Sequence, residues 1–326
     1  MSVEVRVETL ESLSRYHDDL GNGLNWSSIF VLPVWLQTWW AVFGEEYELS
    51  LHSVWQDGEL IGIAPLMRRG EEAFFLGSPD VCDYLDFITV PGKEKEFLQG
   101  LLPELKRQKI GRLELYAQRP DSVIFQGLFS SESDLACRGQ FWREDQSYEI
   151  ILTSTWEDYL ALLNKKQRHE VRRKLRRLEN EAPGYRYRII KESGALEDYI
   201  PEFFDLFQQN PEKAVFLTEK MEQYFRLMIA GTTRAGLARF GLLEVEGVTA
   251  AAVIFFDYLD RIYLYNSGYL SEYAALSVGL LSKIHCLKDS IAGGRQVFDF
   301  LKGQEVYKSR LGGTAIPIYK VTLTIT

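Results

Sequence analysis

The segment QVFDFLKGQEVYKSRLGG near the end of the chain holds the densest set of residues able to do chemistry. Asp299, Lys302, Glu305, Lys308 and Arg310 fall within twelve positions, beside Phe298, Phe300 and Tyr307. Asp299 alternates with Phe298 and Phe300 on an expected strand, so its side chain points opposite to theirs. A carboxylate there is paired or functional, since burying it unpaired is expensive. Glu305 and Lys308 are three apart and meet as an ion pair if the segment turns as a helix.

Two further features suit an anion. Lys165 to Arg177 reads KKQRHEVRRKLRR, eight Lys or Arg against one Glu, a local charge of +7. Leu160, Leu163, Gln167, Val171, Leu175 and Leu178 recur every three or four positions. This predicts one helix that leaves Arg168, Arg172, Arg173 and Arg176 on polar faces. So many like charges on one helix repel unless an anion relieves them, and Arg suits bidentate phosphate contacts. Upstream of the acidic-basic cluster, Ser277 is placed to cap a helix and Gly279 allows close approach, so backbone N–H groups there can receive a pyrophosphate. Phosphate-bearing ligands in question are coenzyme A, a carrier's phosphopantetheine, a nucleotide-linked sugar and transfer RNA.

The elements that must position these residues occur twice. LSLHSVWQDGELIGIAPLM carries two β-rich runs around Asp57-Gly58, and ARFGLLEVEGVTAAAVIFF does the same around Glu246-Gly247. An aromatic strand follows each hairpin (AFFLGS, RIYLYNSG), then an acidic-Tyr pair (Asp83-Tyr84, Glu272-Tyr273), then a helix ending at Gly111 or Gly294, then a short strand (RLELYAQ, RQVFDFLKG). Gly58 and Gly247 lie 189 positions apart, Gly111 and Gly294 183. The chain reads as two copies of one α+β plan. The first copy opens with a helix in which Pro33 takes the first turn. The second opens at Thr155, a helix cap with Asp158 at the capping-box spacing. The expected division is 1–150 and 151–326.

Composition sets the outer limits. The 326 residues suit two domains, and the formal charge of −9 becomes −16 once the basic segment is set aside. With 46% hydrophobic and 25% charged residues the chain is globular rather than disordered. An acidic total argues against a general nucleic-acid coat. The N-terminus lacks signal-peptide character, and the longest apolar run, VTAAAVIFF, is a buried strand too short to span a bilayer. The expectation is a cytoplasmic protein with no stable membrane insertion. Three widely spaced cysteines and four scattered histidines indicate neither a disulfide framework nor a metal site.

The blocks LNKKQRHEVRRKLRRLE, YLYNSGYLSEYAALSVGLL and FDFLKGQEVYKSRLGG, in that order, resemble the CelD/BcsL-type acetyltransferase family of the GNAT superfamily. LPVWLQTWWAVFG and Asp83-Tyr84-Leu85-Asp86 resemble it too, so the likeness runs from about residue 30 to 315. The wider kinship is with the FemABX peptidyltransferases. The resemblance implies two tandem GNAT-like domains, each a mixed, mainly antiparallel sheet flanked by helices. It further implies transfer of an acetyl or other acyl group from a CoA-type thioester to an amine or hydroxyl, in exopolysaccharide or cell-envelope biosynthesis. The acceptor is a small molecule or saccharide, and no metal takes part. The sequence departs from standard GNAT enzymes in having no Gln/Arg-x-x-Gly-x-Gly/Ala phosphate loop.

On that reading Lys308 acts electrostatically on the carbonyl oxygen or donor phosphate. Asp299 or Glu305 is base or orienting group, and Tyr265 is the proton donor, with Tyr263 as substitute if the strand faces the other way. Ser277, Gly279, Arg168, Arg172 and Arg173 hold donor phosphates. Tyr307 and, in the first domain, Asp83, Tyr84 and Asp86 contact substrate, so the first domain binds acceptor or shapes a cleft. The second-ranked readings are a transferase using aminoacyl-transfer RNA and a non-catalytic polysaccharide-assembly protein.

Overall fold

Both hairpin turns are of the kind the turn pairs demand. Asp57 and Gly58 have φ of 50° and 89°, and Glu246 and Gly247 have 53° and 82°. Two successive positive φ angles match the twist of a tight hairpin, and Gly supplies the second without strain. The computed structural model describes residues 2–129, 137–191, 196 and 198–326. The chain divides into two units, Met1–Asp145 with Ile316–Thr326, and Gln146–Ala315. The first boundary lies close to the expected one. The last strand, however, is not part of a 151–326 unit but belongs with the first.

Unit 1 contains β1 (Val3–Val7), α1 (Leu10–Asp18), α2 (Pro33–Phe43), β2 (Glu48–Gln56), β3 (Glu59–Arg69), β4 (Glu72–Phe75), β5 (Ile88–Thr89), α3 (Glu94–Arg107) and β6 (Arg112–Gln118). β7 (Cys137–Ile151) carries the chain into unit 2, which holds α4 (Trp156–Leu162), α5 (Lys165–Glu181), β8 (Arg186–Ile190), α6 (Ile200–Phe207), α7 (Pro211–Phe216), α8 (Glu219–Arg234), β9 (Ala238–Val245), β10 (Val248–Tyr258), β11 (Arg261–Tyr269), α9 (Val278–Ala292), β12 (Val297–Lys302) and α10 (Val306–Arg310). β13 (Thr314–Ile325) completes unit 1.

The strand order of unit 1 is β1-β2-β3-β4-β6-β13, with β5 beside β3, and that of unit 2 is β8-β9-β10-β11-β12-β7. Neighbours are antiparallel except β4 with β6 and β11 with β12, which are parallel. Each parallel pair needs a crossover, supplied by α3 and by α9. The repeat extends to backbone detail. Ala117 in β6 and Leu301 in β12 both have left-handed φ, 58° and 61°. Each sits where its strand's pairing register shifts. The α+β class, with mainly antiparallel sheets flanked by helices, is as expected.

β10 is buried at eight consecutive positions, from Thr249 to Phe256, as the apolar run required. It packs with α9 residues Leu281, Ile284 and Leu287 in the core of unit 2. The basic segment differs from expectation in one respect. The periodic run from Leu160 to Leu178 is two helices, because Leu163 is extended and Asn164 starts a new one. Asn164 Oδ1 accepts from the Gln167 amide at 2.9 Å and Gln167 Oε1 accepts from the Asn164 amide at 3.1 Å, a reciprocal cap stronger than the apolar period. Thr155 caps α4 through the Asp158 amide at 3.1 Å. Among the described residues no helix is long and apolar enough to cross a membrane.

Candidate functional site

The acidic-basic cluster of unit 2 is built around the end of β12. Lys308 is buried on the short helix α10, and its Nζ donates to the carbonyls of Leu301, Lys302 and Gly303 at 3.2, 2.6 and 3.3 Å. Glu305 Oε2 lies 2.9 Å away, the ion pair expected from the spacing. An ammonium has three protons, so Lys308 is fully engaged in holding the turn that leads into α10. Its neighbour Tyr307 lies against Phe300, ring centroids 5.9 Å apart.

Asp299 is fully buried, and its partners define it as a strut. Oδ2 accepts from Arg261 at 3.1 Å and Oδ1 accepts from the Leu301 amide at 2.8 Å, while Arg261 also reaches Glu149 at 2.6 Å. Tyr263 is paired with Asp299 across the parallel strands. Tyr265 sits one pleat further on, packed on Phe256 and Phe225 with centroids 5.4 and 6.0 Å away.

A cavity of about 260 Å³ opens at the start of α9. Its walls include Tyr269, Ser277, Gly279, Leu280, Lys283 and Tyr307. Ser277 is left-handed, φ 61°, and no side chain caps the first turn of α9. The amides of a helix start favour an anion. Two cations stand beside them. Lys174 of α5 donates to Ser277 Oγ at 2.7 Å, and Lys283 donates to the Gly279 carbonyl at 2.7 Å with its Nζ 5.3 Å from the Tyr307 centroid. Burial, then repulsion from Lys213, holds Lys283 down at about 7 against the pull of Glu305. Burial pushes the Tyr307 hydroxyl far above its ordinary value, so Tyr307 keeps its proton.

A second cavity of about 200 Å³ also has Tyr269 in its wall. Lys213 of α7 lines it, donating to the Ser267 carbonyl at 2.6 Å with Nζ 4.8 Å from the Phe207 centroid. Burial lowers Lys213 to about 8.

The structure thus brings Ser277, Gly279 and Tyr307 to one cavity, with Lys308 and Glu305 fixing the turn beside Tyr307. Tyr265 lines neither cavity. Nor do Arg168, Arg172 and Arg173. Arg168 donates to the Leu160 carbonyl at 3.4 Å, Arg172 pairs with Glu157 at 2.8 Å and Arg173 with Glu170 at 2.8 Å. These arginine pairs are exposed and contribute little, and the charge of α5 is met in part by α4 and in part by its own Glu170. Lys174, Lys213 and Lys283 escaped sequence reasoning. Lys283 had a usable signal, four positions after Gly279 on the same helix; Lys213 had none.

In unit 1, Tyr84 is buried, edge-on to Phe30 with centroids 5.7 Å apart, and Arg119 lies 5.0 Å over its ring. Asp86 accepts from the Phe87 amide at 2.8 Å and the Val123 amide at 3.1 Å. Burial raises its pKa well above normal despite those amides. Asp83 is half-buried three residues before it. Asp86 thereby pins the loop before β5 to the Val123 backbone. Among the described residues no group of His, Cys, Asp and Glu is placed to hold a metal ion.

Residues 165–309 match the family model described as acetyltransferase (GNAT) domain, all of it within unit 2. Solved structures share the fold over almost the whole chain. A conserved protein of unknown function from Bacteroides thetaiotaomicron is 12% identical, with a TM-score of 0.63 over 99% of this chain and 100% of that one. FemX is 13% identical, with a TM-score of 0.64 over 98% and 96%. L-PGS from Bacillus licheniformis is 11% identical, with a TM-score of 0.53 over 87% and 90%. No curated protein matches the chain.

Proposed function

We propose that unit 2 is an acyltransferase which takes an acyl group from a coenzyme A-type thioester and places it on an amine or hydroxyl. One observation carries this reading: the cavity at the uncapped start of α9, with Lys174 and Lys283 beside it, inside the segment that matches a GNAT domain. The donor's phosphates sit at the Ser277–Gly279 turn, met by helix amides and by two lysines. Tyr307, protonated and in the same wall, supplies the proton to the departing thiolate, the role first given to Tyr265. Lys308, Glu305 and Asp299 act by position: the first two hold the turn before α10, and the third ties β12 to β11. The acceptor's route through envelope or exopolysaccharide chemistry rests on the family resemblance.

The test is calorimetric titration of the full chain with coenzyme A. Binding in the wild type that weakens about tenfold in Lys283→Met, with an unchanged circular dichroism spectrum, is the expected result. Absence of binding by the folded wild type overturns the reading.

A further inference from the structure

The cavity around Lys213 lies beside the one at the α9 start and shares Tyr269 with it. It is walled by polar groups of two elements: Gln209 and Asn210 between α6 and α7, and Ser267, Tyr269 and Ser271 at and just after the end of β11. The two elements are pressed together at Gly268, where a Cβ would lie 2.4 Å from the Leu206 carbonyl carbon. That contact fixes the spacing between the α6 end and β11, and with it the width of the cavity.

The charge in this cavity is unbalanced. None of its lining residues is acidic, and none of those lining the neighbouring cavity is either. Lys213 has a carbonyl and an aromatic face as partners; Glu305 acts on it from further off, and among the described residues no carboxylate is within ion-pair distance. A half-buried ammonium without a counter-charge in contact is costly and invites an anion. The size of the charge narrows the choice. One lysine among neutral hydroxyl and amide groups matches a single negative charge, whereas the two lysines and helix start of the other cavity suit a phosphate. Tyr269 belongs to both walls, so a small molecule anchored at Lys213 extends to the donor cavity.

We propose that the Lys213 cavity binds the carboxylate of the acceptor, which is accordingly a small carboxylate-bearing amine or hydroxy compound. This rests on the acyltransferase reading for the word acceptor; the carboxylate site itself stands on the cavity. The probe is N-acetylglycine, which has the carboxylate and the acylated amine of such a product, compared with its uncharged amide, N-acetylglycinamide.

Labelling of the full-length wild type with trinitrobenzenesulfonate at pH 8, mapped by mass spectrometry, reads Lys213 directly and needs no variant. N-acetylglycine is expected to slow labelling at Lys213 several-fold and N-acetylglycinamide to leave it unchanged. In Lys213→Met, affinity for N-acetylglycine is expected to fall roughly tenfold or more while coenzyme A affinity is kept. Equal protection by the amide, or undiminished binding of N-acetylglycine by folded Lys213→Met, overturns the proposal. Protection by inorganic phosphate but not by N-acetylglycine overturns it in favour of a phosphate site. Coenzyme A binding without protection sinks this proposal alone. Protection in a protein that does not bind coenzyme A supports the carboxylate site and sinks the donor reading alone.

Discussion

Lys174 of α5 and Ser277 at the start of α9 are joined by a 2.7 Å hydrogen bond. The bond holds the basic helix against the turn where α9 begins, and it sets one lysine of that helix apart from its eight-member charge run. Lys174 is largely buried, with 19% of its side chain exposed, whereas Arg172 and Arg173 are about half exposed. Replacing Lys174 by Met is therefore expected to weaken coenzyme A binding about three- to tenfold, as loss of a charge-assisted contact does. Arg172→Ala and Arg173→Ala should change it less than about twofold. Calorimetry on the three variants decides; a larger loss from the arginines returns phosphate binding to the exposed face.

Proton uptake gives the donor site a pH signature. With Lys283 near 7 in the free protein, an incoming phosphate must find it charged or charge it on binding. Affinity for coenzyme A is expected to fall as pH rises from 7 to 9, a window in which the ligand's phosphates are already ionised. The same fall should be nearly absent in Lys283→Met. A wild-type profile that is flat over this range contradicts the placement of Lys283 at the phosphates.

Lys308 shows what residue type and spacing leave open. Its sequence neighbourhood marks it as a reactive cation, but three carbonyl oxygens and Glu305 surround it. Lys308→Met leaves those carbonyls without a donor in a buried turn, and a loss of about 2–4 kcal/mol in unfolding free energy is expected. Urea unfolding measures it. A variant as stable as the wild type but without transferase activity restores Lys308 to direct chemistry.

The repeat was legible because hairpins and crossover helices are local. Asp57-Gly58 and Glu246-Gly247 announce their turns, and apolar periodicity announces α3 and α9. Ser277, Gly279 and Tyr307 were legible for the same reason, lying in short segments where turn chemistry and aromatic spacing show. Lys213 was not. It meets β11 more than fifty positions away in sequence, and only the contact of α6 with Gly268 creates the cavity it lines. The partners of Arg168, Arg172 and Arg173 were not legible for a related reason: periodicity identifies a helix face but not what each face packs against. The return of β13 to unit 1 also leaves no mark on its sequence, since the same alternating pattern serves a strand of either unit.

Gly279 tests the wall shared by the two cavities. A Cβ there would lie 2.7 Å from the Tyr269 ring, which has to move. Helix propensity favours Ala over Gly by about 1 kcal/mol, so Gly279→Ala is expected to fold with near wild-type stability. The displaced ring should weaken both coenzyme A and N-acetylglycine binding. Loss of one without the other shows that Tyr269 does not shape both sites.

His285 contributes a pH dependence to stability. It stacks on Tyr187, centroids 5.1 Å apart and planes 21° apart, and its Nε2 is buried with no hydrogen-bond partner. Burial, with Lys288 adding repulsion, lowers its pKa to about 4 from 6.5. In the unfolded chain the imidazole takes a proton below 6.5; in the fold it resists until about 4. The unfolded state binds more protons between these values, so stability is full above pH 6.5 and falls as pH drops toward 4. The shift corresponds to about 3 kcal/mol. His285→Phe keeps a ring on Tyr187 and removes the titration. The difference in unfolding free energy between wild type and variant, measured at pH 4.5, 5.5, 6.5 and 7.5, subtracts the contribution of every other group. It should shift against the wild type by 1–3 kcal/mol from the highest to the lowest pH, an order-of-magnitude range of about 1.4 kcal/mol per unit. A difference that stays constant means that His285 titrates alike in the folded and unfolded chains, and the burial argument fails.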